Sequence, residues 1–321
     1  MKIATSLIAA LFLASAATAV MPDDPAKIDT CTKPGVVALT FDDGPGMYND
    51  QLLALLAKKN VKATFFVLGS MIAANAQQAG ALKKILAGGH QLASHTYSHG
   101  NLDAMTEDAM RLEISKTSDI MFQNAGVRPA YMRAPEGRCA AVCTKVMESL
   151  GLVISHWNVD TNDWRFKDLA PAVAADKSME EINKVIIQDS NPATDSFILL
   201  EHEIHKFSVD LVAERVIDTI TAKGYKFVTM EECVGKPSYL TGSVVPPVVP
   251  PTTNTTGPVV PPSTPVVPPS GSATTGAPQK TSTAAVTPTI TTGNKGSNSA
   301  GLVRAGAWAM GVAAAVGFAM L

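Results

Sequence analysis

Two adjacent carboxylates, Asp42 and Asp43, close an apolar run in the segment LTFDDGPG, and His95 and His99 stand four residues apart farther along. Two imidazoles and one carboxylate, leaving open coordination positions, suit a catalytic divalent metal such as Zn²⁺. A metal of this kind lowers the pKa of a bound water toward ~7. A second carboxylate beside the site can take the proton of that water. These residue types therefore predict metal-dependent hydrolysis of an amide or an ester.

Three further polar residues complete such a reaction centre: Arg133, Asp163 and His202. A guanidinium beside a carboxylate base keeps the base ionised and oriented. A histidine on the opposite side can protonate a leaving group, and a nearby aspartate keeps that histidine cationic. Each residue also has a structural interpretation, since Asp favours turns and histidines occur on surfaces. The occurrence of all of them in one chain favours the functional interpretation.

The polar residues follow apolar, strand-like runs. The predicted strands are Val36–Phe41, Ala63–Val67, His90–Ala93, Ala130–Arg133, Val153–Trp157, Phe197–Leu200 and Lys226–Val228. The amphipathic stretches with helical spacing include Gln51–Lys59, Glu107–Asn124, Cys143–Leu150 and Val209–Ala222. This alternation predicts an α/β fold with a parallel sheet, open or closed into a barrel. Because active sites form where the carboxyl ends of parallel strands converge, we expect the polar residues to share one rim.

The chain has 321 residues, of which 46% are hydrophobic, and a formal net charge of −2. This length suits one sizeable domain with appendages, and the lack of a basic excess gives no electrostatic support for a nucleic-acid partner. Lys2, an apolar stretch and Ala17-Thr18-Ala19 predict a signal peptide over residues 1–19. The stretch is too short for a membrane anchor, which needs ~20 apolar residues. We therefore expect a secreted domain over residues 20–238.

Residues 239–298 are rich in Pro, Ser and Thr and predict an extended, glycosylated stalk, with an N-glycosylation sequon at Asn254. A Pro-rich docking ligand is the alternative. Residues 299–321 end in an uncharged apolar tail that follows small residues, which is typical of a GPI-anchor signal with attachment at Asn298. A plain tail anchor is the alternative here. The expected location is the cell surface, at the plasma membrane and wall.

Four cysteines in a secreted chain predict two disulfides, for which three pairings are possible. Cys139 and Cys143 are close in sequence, whereas Cys31 and Cys233 bracket the globular region. A local pair, Cys139–Cys143, and a global pair, Cys31–Cys233, form the simplest arrangement. The global bond fits a sheet whose first and last strands are neighbours.

Five ordered motifs resemble the polysaccharide deacetylase (NodB-homology, carbohydrate esterase) family, and within it the fungal chitin deacetylases. The motifs are TFDDGP from Thr40, His95-x-x-x-His99, Arg133-x-Pro135-x-Gly137, Asp160-x-x-Asp163-Trp164 and Leu200-x-His202. The resemblance covers about residues 33–235. It implies a distorted (β/α) barrel of about seven parallel strands. It also implies a monomer that removes acetyl groups from chitin or chitin oligosaccharides and releases chitosan and acetate.

On one side of the site, the resemblance implies that Asp43, His95 and His99 bind the metal. The metal implied is Zn²⁺, with Co²⁺ as a second candidate. Asp42 is then the general base, and Arg133 orients it.

On the other side, the resemblance implies that His202 is the general acid and that Asp163 tunes it. Trp164 and Leu200 are expected to line the acetate pocket, and the backbone N–H of Glu136 is expected to stabilise the oxyanion. The family usually has an aromatic residue where this chain has Glu136, so a carboxylate replaces a sugar-stacking surface.

Glu201, beside His202, is expected to face the same rim as a second acidic residue. Two other functions remain open alternatives. One is an O-acetyl esterase acting on xylan or another acetylated polysaccharide. The other is a non-catalytic cell-wall binding protein, although such a protein would be expected to have lost part of the motif set that this chain retains.

Overall fold

A computed structural model describes residues 27–243. The predicted signal peptide, most of the stalk, Asn254, Asn298 and the predicted GPI signal lie outside the described residues. Nine strands occur in the described part: β1 (Lys27–Ile28), β2 (Val36–Asp42), β3 (Thr64–Val67), β4 (Gln91–Ser94), β5 (Tyr131–Met132), β6 (Val153–Ser155), β7 (Val159–Asp160), β8 (Phe197–His202) and β9 (Lys226–Val228). The seven predicted strands are all present, and β1 and β7 are additional two-residue strands.

These strands form one sheet in the order β1-β6-β5-β4-β3-β2-β8-β7, and β9 pairs with β2. Every pairing between named strands is parallel. This confirms the predicted α/β fold with a parallel, barrel-like sheet. Strand β2 is central, because it pairs with β8 along most of its length, with β9 near its start and with β3 near its end. The first and last of the seven predicted strands, β2 and β9, are neighbours as expected.

Helices connect the strands and cover the outside of the sheet. They are α1 (Asn49–Lys59), α2 (Gly69–Ala74), α3 (Ala76–Ala87), α4 (Glu107–Ala125), α5 (Ala141–Ser149), α6 (Asp163–Phe166), α7 (Pro171–Ile182), α8 (Ala213–Lys223) and α9 (Met230–Val234). The longest, α4, begins where the Thr106 side chain accepts a hydrogen bond from the Ala109 N–H, and it ends at Gly126 in a left-handed conformation.

Strand β2 shows how one sheet presents an apolar face to the helices and a polar face to the interior. Val37, Leu39 and Phe41 belong to the large apolar cluster that includes helical side chains. Thr40 and Asp42 alternate with them and are also fully or almost fully buried. Because side chains alternate between the faces of a strand, these two polar groups point into the barrel.

Both predicted disulfides, Cys31–Cys233 and Cys139–Cys143, are formed in the structure. The first joins chain segments 202 residues apart, immediately before the long strand β2 and within α9. It therefore ties the two ends of the described domain together. No helix among residues 27–243 is both long and apolar enough to cross a membrane.

Candidate active site

The two adjacent carboxylates both face one pocket because the strand that carries them ends between them. Asp42 is the last residue of β2, and Asp43 adopts a left-handed backbone conformation with φ of 72°. Two successive residues of a regular strand would point to opposite faces. The left-handed residue breaks this alternation, so that Asp42 and Asp43 line the same pocket.

The Asp43 carboxylate lies between the two predicted histidine ligands. Its Oδ1 atom is 3.4 Å from His95 Nε2 and 3.4 Å from His99 Nε2. One ligand atom from each residue lies within 4.8 Å of the others. The buried Asp43 Oδ1 has no hydrogen-bond partner. A buried carboxylate oxygen without a donor, facing two imidazole nitrogens, fits a divalent cation coordinated by all three groups.

The surroundings of His95 prepare it to act as a ligand. Its Nδ1 lies 2.9 Å from the backbone oxygen of Arg133, so Nδ1–H donates to that carbonyl and leaves the Nε2 lone pair directed at Asp43. Burial lowers the pKa of His95, although the neighbouring Asp42 and Asp43 oppose this effect. The neutral tautomer with a free Nε2 is the form that a metal requires. The segment from His95 to His99 is irregular rather than helical, and His99 has a positive φ of 59°.

Arg133 contacts and orients the Asp42 carboxylate. Its Nη1 donates to Asp42 Oδ1 at 2.8 Å and to Thr40 Oγ1 at 2.7 Å, and its Nη2 donates to the backbone oxygen of His156 at 3.0 Å. The guanidinium is fully buried and also lies 4.1 Å from the centre of the Phe66 ring. These contacts fix the orientation of Asp42 and offset the negative charge of the pair.

Asp163 and His202 form a second ion pair across the pocket. Asp163 Oδ1 is 2.7 Å from His202 Nδ1, and Asp163 Oδ2 accepts from the His202 backbone N–H at 2.8 Å and from Ser208 Oγ at 2.7 Å. Burial alone would lower the pKa of His202, but the charge and the hydrogen bond of Asp163 outweigh it and raise this pKa to about 9. His202 is therefore protonated near neutral pH and can donate a proton to a leaving group.

The predicted site residues converge on one pocket of about 530 Å³. Its lining includes Asp42, Asp43, His95, His99, Glu136, Trp164, Leu200 and His202. Arg133 and Asp163 lie behind this lining and contact Asp42 and His202 directly. The structure thus brings together all ten residues that the motifs identify.

Three residues of this lining had no role in the sequence prediction: Arg138, Trp157 and Asp160. Arg138 forms a 2.9 Å ion pair with Glu136, and both side chains are well exposed at the rim. Trp157 stacks on the His156 ring with centroids 4.3 Å apart. Asp160 Oδ2 accepts from the Trp164 indole N–H at 3.3 Å and thereby orients that ring. Asp160 is itself part of the fourth motif, and proximity to motif residues is the sequence signal that could have identified Arg138 and Trp157.

The expectation for Glu201 is wrong. Glu201 is paired in register with Phe41, whereas Leu200 and His202 are paired with Thr40 and Asp42. Glu201 therefore points to the helix-covered face of the sheet and is not part of the pocket lining. It is fully buried, and neither carboxylate oxygen has a hydrogen-bond partner. Burial raises the pKa of Glu201 well above its ordinary value of 4.5.

A family model described as polysaccharide deacetylase matches residues 29–155, which contain the Asp42–Asp43 turn, both predicted histidine ligands and Arg133. The chain is 34% identical over 208 residues to the chitin deacetylase of Colletotrichum lindemuthianum, and the match covers 64% of this chain and 82% of that protein. It is 36% identical over 201 residues to the peptidoglycan-N-acetylglucosamine deacetylase PgdA of Listeria monocytogenes, covering 62% of this chain and 39% of that protein.

The solved structure of the Colletotrichum lindemuthianum chitin deacetylase superposes on this fold with a TM-score of 0.63 and 34% sequence identity. The superposition covers 66% of this chain and 92% of that one. The likeness therefore extends over nearly the whole of the solved domain.

Proposed function

Because this chain belongs to the polysaccharide deacetylase family, we propose that it is a metal-dependent chitin deacetylase that converts N-acetylglucosamine units to glucosamine units and acetate. The observation that carries the proposal is the placement of the Asp43–His95–His99 cluster between two ion pairs, Arg133–Asp42 and Asp163–His202. The similarity to a fungal chitin deacetylase in sequence and fold supports chitin as the substrate.

Asp43, His95 and His99 would hold the metal. Two imidazoles and one carboxylate favour Zn²⁺, and Co²⁺ suits the same donors. When bound, the ion would polarise the acetyl carbonyl and lower the pKa of a water molecule.

The chain's own residues then supply the proton transfers and the orientation. Asp42, which Arg133 orients, accepts a proton from the water molecule while the water oxygen bonds to the acetyl carbon. The backbone N–H of Glu136 donates to the developing oxyanion, a contribution that in other enzymes is worth ~3–4 kcal/mol. His202 gives its proton to the nitrogen as the C–N bond breaks, so that acetate and a free amine leave. Trp164 and Leu200 line the space for the acetyl group.

The test is acetate release from chitin oligomers by the purified, metal-loaded protein and by Asp42→Asn. The variant keeps the size of the side chain but cannot accept the proton. We expect a loss of at least ~100-fold in kcat/KM, the range typical of a removed general base, with an unchanged metal content by elemental analysis. An Asp42→Asn variant as active as the original would refute the assigned mechanism.

A second candidate substrate is peptidoglycan, because PgdA shares 36% identity with the chain. Acetylated xylan tests the esterase alternative. Acetate release from chitin oligomers, peptidoglycan and acetylated xylan should be measured side by side. If peptidoglycan or acetylated xylan is turned over faster than chitin oligomers, that polysaccharide is the preferred substrate in place of chitin.

We propose that the enzyme acts as a monomer at the cell surface, secreted through residues 1–19 and attached near Asn298 by a GPI anchor. The sequence patterns at both ends support this location. Phosphatidylinositol-specific phospholipase C should release the protein from intact cells, whereas an Asn298→Pro variant with altered neighbours should not be anchored. Retention after phospholipase treatment would contradict the anchor.

A further inference from the structure

Glu203 is a buried carboxylic acid that no motif of the site includes. It follows His202 directly after strand β8 and is 0% exposed. A charged side chain is almost never fully buried without a partner, so its contacts indicate its role.

The Glu203 side chain packs against the turn that follows Asp43, the carboxylate proposed to bind the metal. Its Oε2 accepts a hydrogen bond from Asn49 Nδ2 at 2.8 Å, whereas its buried Oε1 has no hydrogen-bond partner. A Cβ atom placed on Gly44 would overlap the carboxyl group of Glu203. Glycine is thus required at position 44 because the carboxyl group occupies the place of a side chain.

These contacts join the two halves of the reaction centre. Gly44 is the neighbour of Asp43 on one side, and Glu203 is the neighbour of His202 on the other. Asn49 is itself buried and begins helix α1, so the same carboxylate also fixes the start of that helix. Asp43 needs this support, because its left-handed backbone is unfavourable for a residue other than glycine.

We propose that Glu203 is a positioning residue that holds the turn after Asp43, and thereby sets the affinity of the Asp43–His95–His99 cluster for a divalent metal. Groups that orient metal ligands typically contribute 10–100-fold to metal affinity. The inference rests on the metal site of the proposed function, but it is tested by metal binding and not by activity.

The experiment measures Zn²⁺ affinity by competition with a chromophoric chelator for the original protein, Glu203→Ala and Glu203→Gln. Alanine removes the hydrogen bond with Asn49 and the carboxyl group that packs against Gly44, and it should weaken Zn²⁺ binding by at least ~10-fold. Glutamine keeps the shape, and its carbonyl oxygen can still accept from Asn49 Nδ2. It should therefore restore affinity to within ~3-fold.

Glu201→Gln is the matched control, because Glu201 is also fully buried and adjacent to His202 but points to the helix-covered face of the sheet, away from the pocket. It should bind Zn²⁺ with unchanged affinity. If Glu203→Ala does not fold, Gly44→Ala provides the second variant. The Cβ of that alanine overlaps the Glu203 carboxylate, which this variant retains, and therefore displaces it. It should also weaken Zn²⁺ binding by at least ~10-fold.

Undiminished Zn²⁺ affinity in folded Glu203→Ala or Gly44→Ala would overturn the inference, and so would a Glu203→Gln variant as weak as Glu203→Ala. A failure of the original protein to bind Zn²⁺ or Co²⁺ would instead overturn the proposed function. The two failures are therefore distinguishable.

Discussion

The pH profile of Asp163→Asn tests the second ion pair of the site. In the structure, Asp163 accepts hydrogen bonds from both the ring and the backbone of His202, and it is fully buried. Asparagine preserves the size of the side chain and removes its charge. The pKa of His202, which Asp163 raises to about 9 against the opposing effect of burial, should then fall to its ordinary value of 6.5 or lower.

The magnitude follows from the fraction of His202 that carries a proton. At pH 8, a pKa of about 9 leaves roughly 90% of the imidazole protonated, whereas a pKa of 6.5 leaves roughly 3%. The protonated form of His202, the proposed general acid, is thus depleted ~30-fold at pH 8 but less than twofold at pH 6. The ratio of the two kcat/KM values should therefore change by more than tenfold between pH 6 and pH 8.

The assay is acetate release from chitin oligomers between pH 5.5 and pH 10, under metal-saturating conditions. The alkaline limb of kcat/KM should lie near pH 9 for the original protein and near pH 6.5 for Asp163→Asn. Ser208→Ala is the control, because it removes the hydrogen bond that Ser208 Oγ donates to Asp163 Oδ2 and leaves both contacts between Asp163 and His202 in place. Its alkaline limb should move by much less. A ratio of Asp163→Asn to original activity that is constant with pH would refute the role of Asp163.

Three other predictions concern stability and specificity. The raised pKa of buried Glu201 means that the unfolded chain releases this proton first, so the free energy of unfolding should fall as pH rises above about 4.5. Glu201→Gln should make this fall shallower without abolishing it, because buried Glu203, with a pKa raised to about 7, contributes a fall of its own; urea-unfolding profiles of variant and original that run parallel against pH would contradict this. Glu136→Tyr should replace the exposed ion pair with Arg138 by a stacking surface and change the preferred oligomer length at unchanged Zn²⁺ affinity, and identical kinetics across chitin oligomers would count against this. On the chain-entropy model, Cys31→Ser opens a loop of 202 residues and should cost about 5 kcal/mol in urea unfolding, against about 2 kcal/mol for Cys139→Ser, whose loop spans 4; equal losses would be inconsistent with that model.

The electrostatics of the site explain how two adjacent carboxylates are tolerated. The Arg133 guanidinium offsets the charge of Asp42 at 2.8 Å, and in the proposed function a metal held by Asp43, His95 and His99 would offset the charge of Asp43. Each carboxylate can then have a separate task in the proposed mechanism. The division depends on the left-handed backbone of Asp43, which turns the second carboxylate toward the histidines.

The sequence by itself determined the fold class and, through its family motifs, eight of the eleven residues that line the pocket. Alternation of apolar strands and amphipathic helices is a local pattern, and it sufficed to predict the parallel sheet with its polar rim. The resemblance of five motifs to a known family supplied the ten site residues, and the structure brings them together in and behind one pocket. The two-residue strands β1 and β7 escaped prediction, whereas β5, which is equally short, was predicted as part of the longer apolar run Ala130–Arg133.

Only the tertiary structure decided how the residues around His202 are divided between the two faces of the sheet. Glu201 and Glu203 flank the same histidine and look equivalent in the sequence, yet pairing with Phe41 directs Glu201 toward the helices. Glu203 instead contacts Asn49 and Gly44, more than 150 residues earlier in the chain. Strand register and long-range hydrogen bonds depend on which segments meet in space. No local periodicity encodes them, and for this reason the role of Glu203 emerged only from the folded chain.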